Sequence, residues 1–255
     1  MKNTIARDVL AIPLGVALSE TEQIAVIEGS SSNISSSIID ISNINANNSY
    51  ISGTSGYQIR AFAASNAEHS TSSGVQQIRV QYLDANYEEQ TEDITLSGVS
   101  IVSSTATNIL FVNKVEAISV GASGVAGADI YVAGGNPPGE NLARIDSGTT
   151  SSKIGAYTAA SGVSLLITDI VAGANQNNTT GFDIQAWIQE TGNVEHIYTI
   201  ASVSGVSNEI ISFNIPILVK ERDRIRFRAI SRLISGTAVG YVTARGYEMA
   251  KRGYA

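Results

Sequence analysis

Residues 75–96 read Val-Gln-Gln-Ile-Arg-Val-Gln-Tyr-Leu-Asp-Ala-Asn-Tyr-Glu-Glu-Gln-Thr-Glu-Asp-Ile-Thr-Leu, and this stretch decides the class of fold. Apolar and polar residues alternate along 75–83 and again along 89–96, which is the pattern of β-strands with one buried face. Between them, Asp84-Ala85-Asn86 favours a turn, because Asp and Asn tolerate left-handed backbone and hydrogen bond to their own main chain. The stretch therefore predicts a β-hairpin.

Further stretches of the chain show the same period of two between clusters of turn residues. These predicted strands are residues 109–120, 128–133, 165–171, 183–188, 194–203, 210–219, 223–230 and 238–247. No segment shows a convincing helical period of 3.6. Short strands at intervals of about 10–15 residues are typical of antiparallel β-sandwiches and jelly rolls. The sequence therefore predicts an all-β fold of that class.

A cluster of turn residues divides the predicted strands into two groups. Residues 134–139 read Gly-Gly-Asn-Pro-Pro-Gly, which continues neither a strand nor a helix because proline lacks the main-chain N–H and fixes φ. We therefore expect two sandwich modules in tandem, at residues 1–135 and 140–255. The first module includes an irregular N-terminal arm at residues 29–56.

The arm is rich in serine and asparagine but also contains regularly interspersed isoleucines, which flexible linkers lack. We expect these isoleucines to dock against a partner or against the chain's own core, and they are candidate subunit-interface residues. They are Ile34, Ile38, Ile39, Ile41 and Ile44.

The charge of the chain is unevenly distributed. The formal net charge is −7, but residues 220–255 carry +6 and residues 1–219 carry −13. Phosphate binding requires a basic face with little competing negative charge, so an acidic chain of pI about 4.9 is a poor nucleic-acid binder. We expect no nucleic-acid partner. No apolar run approaches the ~20 residues that span a bilayer, so we expect no membrane partner either.

Four arginines form the sharpest pattern in the sequence: Arg222, Arg224, Arg226 and Arg228 occupy alternate positions. On a strand this spacing places four guanidinium groups on one face and the intervening apolar residues on the other. Like charges at this spacing repel unless carboxylates or solvent surround them. The row is either a solvated outer face or an intersubunit ladder against an acidic neighbour. Anionic glycans or nucleic acid are the remaining alternatives as binding partners of the row.

Residues for catalysis or metal binding are scarce. Cysteine is absent, and the only histidines are His69 and His196. Glu195 is adjacent to His196, and adjacent strand residues point to opposite faces, so it cannot orient the imidazole. No G-x-S-x-G nucleophile motif occurs. Residues 84–88 resemble the start of a calcium loop but lack its glycine and its final acidic residue. We expect no catalytic residue, no cofactor and no metal site, and hence no enzyme.

A family resemblance rests on residues 80–98, which read Val-Gln-Tyr-Leu-Asp-Ala-Asn-Tyr-Glu-Glu-Gln-Thr-Glu-Asp-Ile-Thr-Leu-Ser-Gly. This segment, the turn Thr105-Ala-Thr-Asn108 and the strand Ile109-Leu-Phe-Val-Asn-Lys-Val115 resemble a recurrent pattern of uncharacterised structural proteins of tailed bacteriophages. The similarity continues at 145–146, 156–158, 215–219 and 224–229, and it covers about residues 75–250. Residues 160–163 replace the family's Pro-Ala-Gly-Lys turn and lack its proline.

The resemblance implies a virion component without a catalytic signature. Our first hypothesis is a capsid decoration or cement protein, a homo-oligomer (dimer or trimer) that binds the major capsid protein or other virion proteins. It would lie on the surface of the phage particle and in the host cytoplasm during assembly. The second hypothesis is a tail-associated or fibre-type protein that binds host surface glycans, and a third is an enzyme that degrades envelope polysaccharide.

Overall fold

A computed structural model describes residues 22–34, 37–44, 56–135, 141–174, 182–190, 195–203, 208–231 and 238–250. This part of the chain is all-β: it contains sixteen strands and no helix. The strands are β1 (Glu22–Ile34), β2 (Ile39–Asp40), β3 (Ile59–Ala63), β4 (Val75–Asp84), β5 (Glu89–Thr95), β6 (Val102–Ser103), β7 (Ile109–Val120), β8 (Ile130–Gly134), β9 (Asn141–Ile145), β10 (Ala156–Thr158), β11 (Val163–Ala174), β12 (Phe182–Gln189), β13 (Glu195–Val203), β14 (Asn208–Val219), β15 (Arg224–Ser231) and β16 (Ala238–Ala250). No helix in the described ranges is long and apolar enough to cross a bilayer.

All strand pairs are antiparallel, as the sequence predicts. The first sheet has the order β1-β16-β11-β14, and the second has the order β10-β15-β12-β13 with β2 beside β15. The third sheet is β6-β3-β8-β9 and the fourth is β5-β4-β7. The predicted hairpin is confirmed as β4 and β5, and at its turn the Asp84 carboxylate accepts the N–H of Asn86 at 2.8 Å and of Glu88 at 3.0 Å.

The buried side chains form two main clusters. The terminal core combines side chains from the first and second sheets, including the fully buried Phe182 and Phe227. Along β12 every second residue is buried, because alternate side chains of a strand point to the same face of a sheet. The central core combines side chains from the third and fourth sheets, including Ile59, Ile78 and Ile130.

The N-terminal arm differs from the predicted grouping. Residues 29–34 are the end of β1, which pairs with β16 at the other end of the chain, and β2 pairs with β15. These residues therefore belong to the terminal core, with strands of the C-terminal half, and are regular where the sequence suggested an irregular arm. In turn, β9 belongs with the central core. Residues 45–55 and 136–140 lie outside the described ranges, and the division into modules at 135–140 stays a prediction.

A buried carboxylate fixes the loops of the central half. Glu68 is fully buried and accepts the main-chain N–H groups of Val75, Gly127 (2.7 Å) and Ala128 (2.9 Å). A Cβ atom at Gly74 would lie 2.4 Å from this carboxylate, so only glycine fits there. Two loops that are distant in sequence are thus held together by one side chain.

Candidate functional site

The arginine row begins two residues later than its spacing predicts, at Arg224 instead of Arg222. Arg222 has φ 66° and lies in the turn that precedes β15, where the Asp223 N–H donates to the carbonyl of Lys220 at 3.1 Å. Arg224, Arg226 and Arg228 lie on β15 and alternate with side chains of the terminal core. Three of the four arginines therefore share one face of the second sheet.

This face is covered by the rest of the chain. Arg224 is only 5% exposed and Arg226 only 9%, so the interpretation as a solvated outer face is wrong for these two residues. Guanidinium groups lie over aromatic rings, at 5.4 Å from the ring centroid for Arg222, 5.3 Å for Arg224 and 4.0 Å for Arg228. The rings belong to Tyr87, Phe111 and Trp187, respectively. Such cation–π contacts strengthen when water is excluded.

The carboxylate that meets the row comes from the arm. Asp40 on β2 is buried, and its Oδ1 accepts Arg228 Nε at 2.6 Å while its Oδ2 lies 3.8 Å from an Arg226 amino nitrogen. The intersubunit hypothesis expected the carboxylate beside the arginines to come from another copy of the chain. For Arg226 and Arg228 it comes from Asp40 of the same chain. A contact between copies stays a prediction for the exposed Arg222 and the half-buried Arg228.

The arginine row lies where the two halves of the structure meet. A small junction cluster of Leu83, Leu110, Phe111 and Ala160 joins strands of the fourth sheet to the segment after β10. Beside it, the Asn113 amide donates to the Thr158 carbonyl at 2.9 Å and accepts the Thr158 N–H at 3.0 Å. Apolar packing and paired hydrogen bonds together fix the two halves to each other.

The isoleucines of the arm are mostly buried in their own chain. Ile34 and Ile41 are fully buried in the terminal core, Ile44 is buried, and Ile39 packs against that core. Burial removes Ile34, Ile41 and Ile44 from any surface that a partner contacts, which corrects their candidacy as interface residues. Ile38 is exposed, and its contact with a partner stays a prediction.

The outer edge of β1 is where the chain offers an open strand. β1 is the last strand of the first sheet, and residues 154–155 pair with its outer edge at Glu28 and Gly29. At Gly155 the backbone turns away with φ 67°, and a Cβ there would lie 2.0 Å from the carbonyl oxygen of Ile41. Only glycine is compatible with this crossing of three segments. Beyond it, no strand in the described ranges pairs with this edge.

A cleft of about 480 Å³ lies along this edge. It is lined by residues 24–28 of β1 and by Gln81, Glu89, Lys114 and Glu116 of the fourth sheet. Four glutamates and one lysine line the cleft, and the lysine is bonded to Glu116 at 2.6 Å. The cleft is therefore acidic.

Two titratable groups lie side by side in the cleft. The Tyr157 hydroxyl donates to the carboxylate of Glu248. Burial raises the pKa of Glu248, and the hydrogen bond from Tyr157 opposes this shift. Burial, together with the negative charge of Glu248, also raises the pKa of Tyr157. The two groups are therefore partners in one internal hydrogen bond.

A second groove lies between β13 and β14. There Glu190 accepts Lys220 Nζ at 3.0 Å and lies 3.4 Å from Nε2 of His196, with Tyr198 and Leu218 at the rim. The hydrogen bond from Lys220 is the main cause of the lowered pKa of Glu190. His196 therefore meets a carboxylate that is six residues away in sequence, which adjacency could not predict.

The remaining sequence candidates lie apart from these sites. The His69 Nδ1 contacts the main chain and hydroxyl of Thr71 in a loop, and the Asp84 carboxylate is occupied by the N–H groups of its own turn. Among the residues the structure describes, no group of three or more His, Cys, Asp or Glu is placed to hold a metal ion.

Comparisons with known proteins identify no family for this chain. No family model matches it, and no curated protein matches it. Among solved structures, it is similar to that of the infectious bursal disease virus Gt strain (9% identity, TM-score 0.28, covering 93% of this chain and 75% of the other). It is also similar to the infectious bursal disease virus VP2 subviral particle (9% identity, TM-score 0.29, covering 99% and 79%). These neighbours are viral particle structures, and at such low scores they carry no functional argument.

Proposed function

We propose that the chain is a non-enzymatic structural protein of a virus particle, and that it is a decoration or cement protein on the capsid of a tailed phage. The observation that carries the proposal is the edge of β1 at residues 24–27, which no strand of the described residues pairs with and which carries exposed apolar side chains. Unpaired strand edges are the sites where proteins add strands from other chains. An assembly role uses such an edge directly.

The proposed fold is two β-sandwich modules of the jelly-roll type. The two main clusters of buried side chains support this proposal, because antiparallel sheets that pack face to face share one core. The junction cluster and the arginine row hold the modules in one orientation, so that contacts at either end are transmitted through the molecule. A fixed orientation of the two modules suits an oligomeric protein that binds neighbouring capsid subunits at the same time.

The partners we propose are the major capsid protein or other virion proteins rather than nucleic acid. The basic residues most suggestive of phosphate binding, Arg224 and Arg226, are buried. The cleft along β1 is acidic, and phosphates are repelled from such a surface.

A second candidate function is glycan binding by a tail-associated protein, favoured by the groove between β13 and β14. Its exposed Tyr198 ring lines the same groove as the polar side chains of Glu190, His196 and Lys220. Sugar sites commonly combine an aromatic surface with a few polar groups that fix orientation. Binding to a glycan array that is lost in Tyr198→Ala supports this alternative.

Immunogold electron microscopy tests the proposed function. Antibodies against the purified chain are applied to particles of the virus that encodes it. We expect gold over the whole head surface. Gold confined to the tail supports the second candidate, and particles without gold contradict a place on the virion surface.

A further inference from the structure

The main-chain groups of β1 define which residues can accept another strand. In a strand, the N–H and C=O groups of alternate residues point to opposite edges. The Glu28 carbonyl accepts the Gly155 N–H at 2.7 Å, on the edge that faces away from β16. The N–H and C=O groups of Val26 and Ile24 therefore point to the same outer edge. The chain itself uses this edge at one end and turns away at Gly155.

Residues 24–27 of this edge carry neither the charged side chains nor the proline that usually protect edge strands. Ile24 is 64% exposed and Val26 is 49% exposed. By contrast, the edge strand β5 carries exposed charged residues, and the edge strand β14 contains Pro216. Exposed apolar side chains also occur on β14, at Ile210 and Leu218, so what distinguishes the β1 edge is that residues 24–27 contain neither a charge nor a proline.

The outer face of the first sheet indicates which side chains an added strand needs. The strand register aligns four apolar residues across the sheet: Ile24, Tyr247, Leu166 and Leu218. A strand added beside β1 extends this row if it places an apolar side chain next to Ile24. Cross-strand apolar pairs of this kind stabilise sheets.

The cleft indicates the charge of the other face. Residues 24–28 span about 14 Å at ~3.4 Å per residue, along a cleft that Glu89 and Glu116 also line. A strand whose inner side chains are Lys or Arg meets carboxylates there. A second copy of β1 suits the cleft poorly, because with Ile24 and Val26 on the outer face it would turn Ala25 and Ile27 toward the cleft, and neither is basic.

We propose that the outer edge of β1 at residues 24–27 binds an extended strand of another virion protein, with basic side chains facing the cleft and apolar side chains on the outer face. The strand continues the edge that residues 154–155 begin to pair. That the strand comes from a virion protein rests on the proposed function, whereas its chemistry rests on the cleft.

A peptide of about eight residues that alternates valine and lysine is a suitable probe, with fluorescence anisotropy of a labelled peptide as the measurement. Two matched peptides serve as controls: one has glutamate in place of lysine, and one has N-methyl groups on the valines, which removes main-chain donors. We expect the valine–lysine peptide to bind, and we expect the affinity of both control peptides to be lower by about tenfold or more.

Variants of the protein locate the site. Val26→Pro removes an N–H that points to the outer edge and leaves the ladder with β16 intact, a position where proline is tolerated. We expect it to weaken binding about tenfold, and Val26→Lys, which places a positive charge beside the incoming strand, to weaken it as well. Ile210→Lys on β14, at a site 73% exposed, is the control and should bind like the wild type.

Several outcomes overturn the inference. One is that the valine–lysine peptide does not bind up to about 1 mM, which corresponds to a binding free energy weaker than ~4 kcal/mol. Another is that the glutamate peptide binds equally well. A third is that folded Val26→Lys binds the valine–lysine peptide as the wild type does. Self-association in sedimentation velocity that both Val26 variants abolish identifies a second copy as the occupant and also overturns it. Gold-labelled particles combined with absent peptide binding leave the proposed function standing and reject only this inference.

Discussion

Replacing Asp40 with alanine tests whether the arginine row is a structural feature of the single chain. The Asp40 side chain is buried, accepts Arg228 Nε at 2.6 Å and lies 3.8 Å from Arg226. Truncation removes the carboxylate from a buried ion pair, and such losses cost about 3–5 kcal/mol. Because Arg228 is partly exposed to water, we expect a value near the lower limit, about 3 kcal/mol.

Urea unfolding measured by tryptophan fluorescence is the appropriate assay, because the chain has one tryptophan, Trp187. The centroid of its ring lies 4.0 Å from the guanidinium carbon of Arg228. The Asp40→Ala/Arg228→Ala double variant should cost less than the sum of the two single variants, since contacting residues are energetically coupled.

The matched control is Asp93→Ala. Asp93 accepts two hydrogen bonds from Arg79 at 2.7 and 2.8 Å, a geometry at least as good as that at Asp40, but the pair is exposed to solvent. Exposed ion pairs contribute little, so the unfolding midpoint should not change within error. If Asp40→Ala costs less than about 1 kcal/mol, or no more than Asp93→Ala, the reasoning about burial of the row is refuted.

Three further predictions concern stability. Glu68→Ala leaves three main-chain N–H groups without their acceptor and should lower the free energy of unfolding by about 3 kcal/mol or more; unchanged urea unfolding would show that water replaces the carboxylate. Gly155→Ala should lower the thermal midpoint much more than Gly162→Ala, because both glycines have positive φ but only a Cβ at Gly155 meets backbone; equal shifts would exclude the clash. Glu248→Gln should stabilise the protein more at pH 7 than at pH 4, because burial raises the pKa of Glu248 above its ordinary 4.5. The contribution of Glu248 to folding stability is therefore present below pH 4.5 and is lost as pH rises through the folded-state pKa. The same stability difference between variant and wild type at both pH values would contradict this sign.

Local pattern was sufficient to predict ten of the sixteen described strands and an all-β, antiparallel fold, but it missed β1, β2, β3, β6, β9 and β10. The alternation along β4, β5 and β12 is directly visible in sequence, and so is the turn at Asp84, because these signals depend on near neighbours. The pairing of β1 with β16 has no local signal: it is decided by which strands bury their apolar faces together at opposite ends of the chain.

The sequence indicated the shared face of the arginines but not what covers it. Alternate spacing places Arg224, Arg226 and Arg228 together, whereas Phe111 and Asp40 reach them from distant segments. For the same reason the isoleucines of the arm signalled burial without revealing where they are buried. The cleft along β1 was missed altogether, because it is formed by strands of both halves. The one signal available was the apolar run Ile24-Ala25-Val26-Ile27, which contains no charge and no proline.

The copy number of this chain per virus particle tests the central claim most directly. Quantitative mass spectrometry of purified particles, with labelled peptides of this chain and of the major capsid protein as standards, gives the ratio of the two proteins. A decoration or cement protein should be present in hundreds of copies per particle, in a fixed simple ratio to the major capsid protein. A few copies to some tens would contradict a decoration role and favour a tail component, and absence from purified particles would contradict a structural role in the virion.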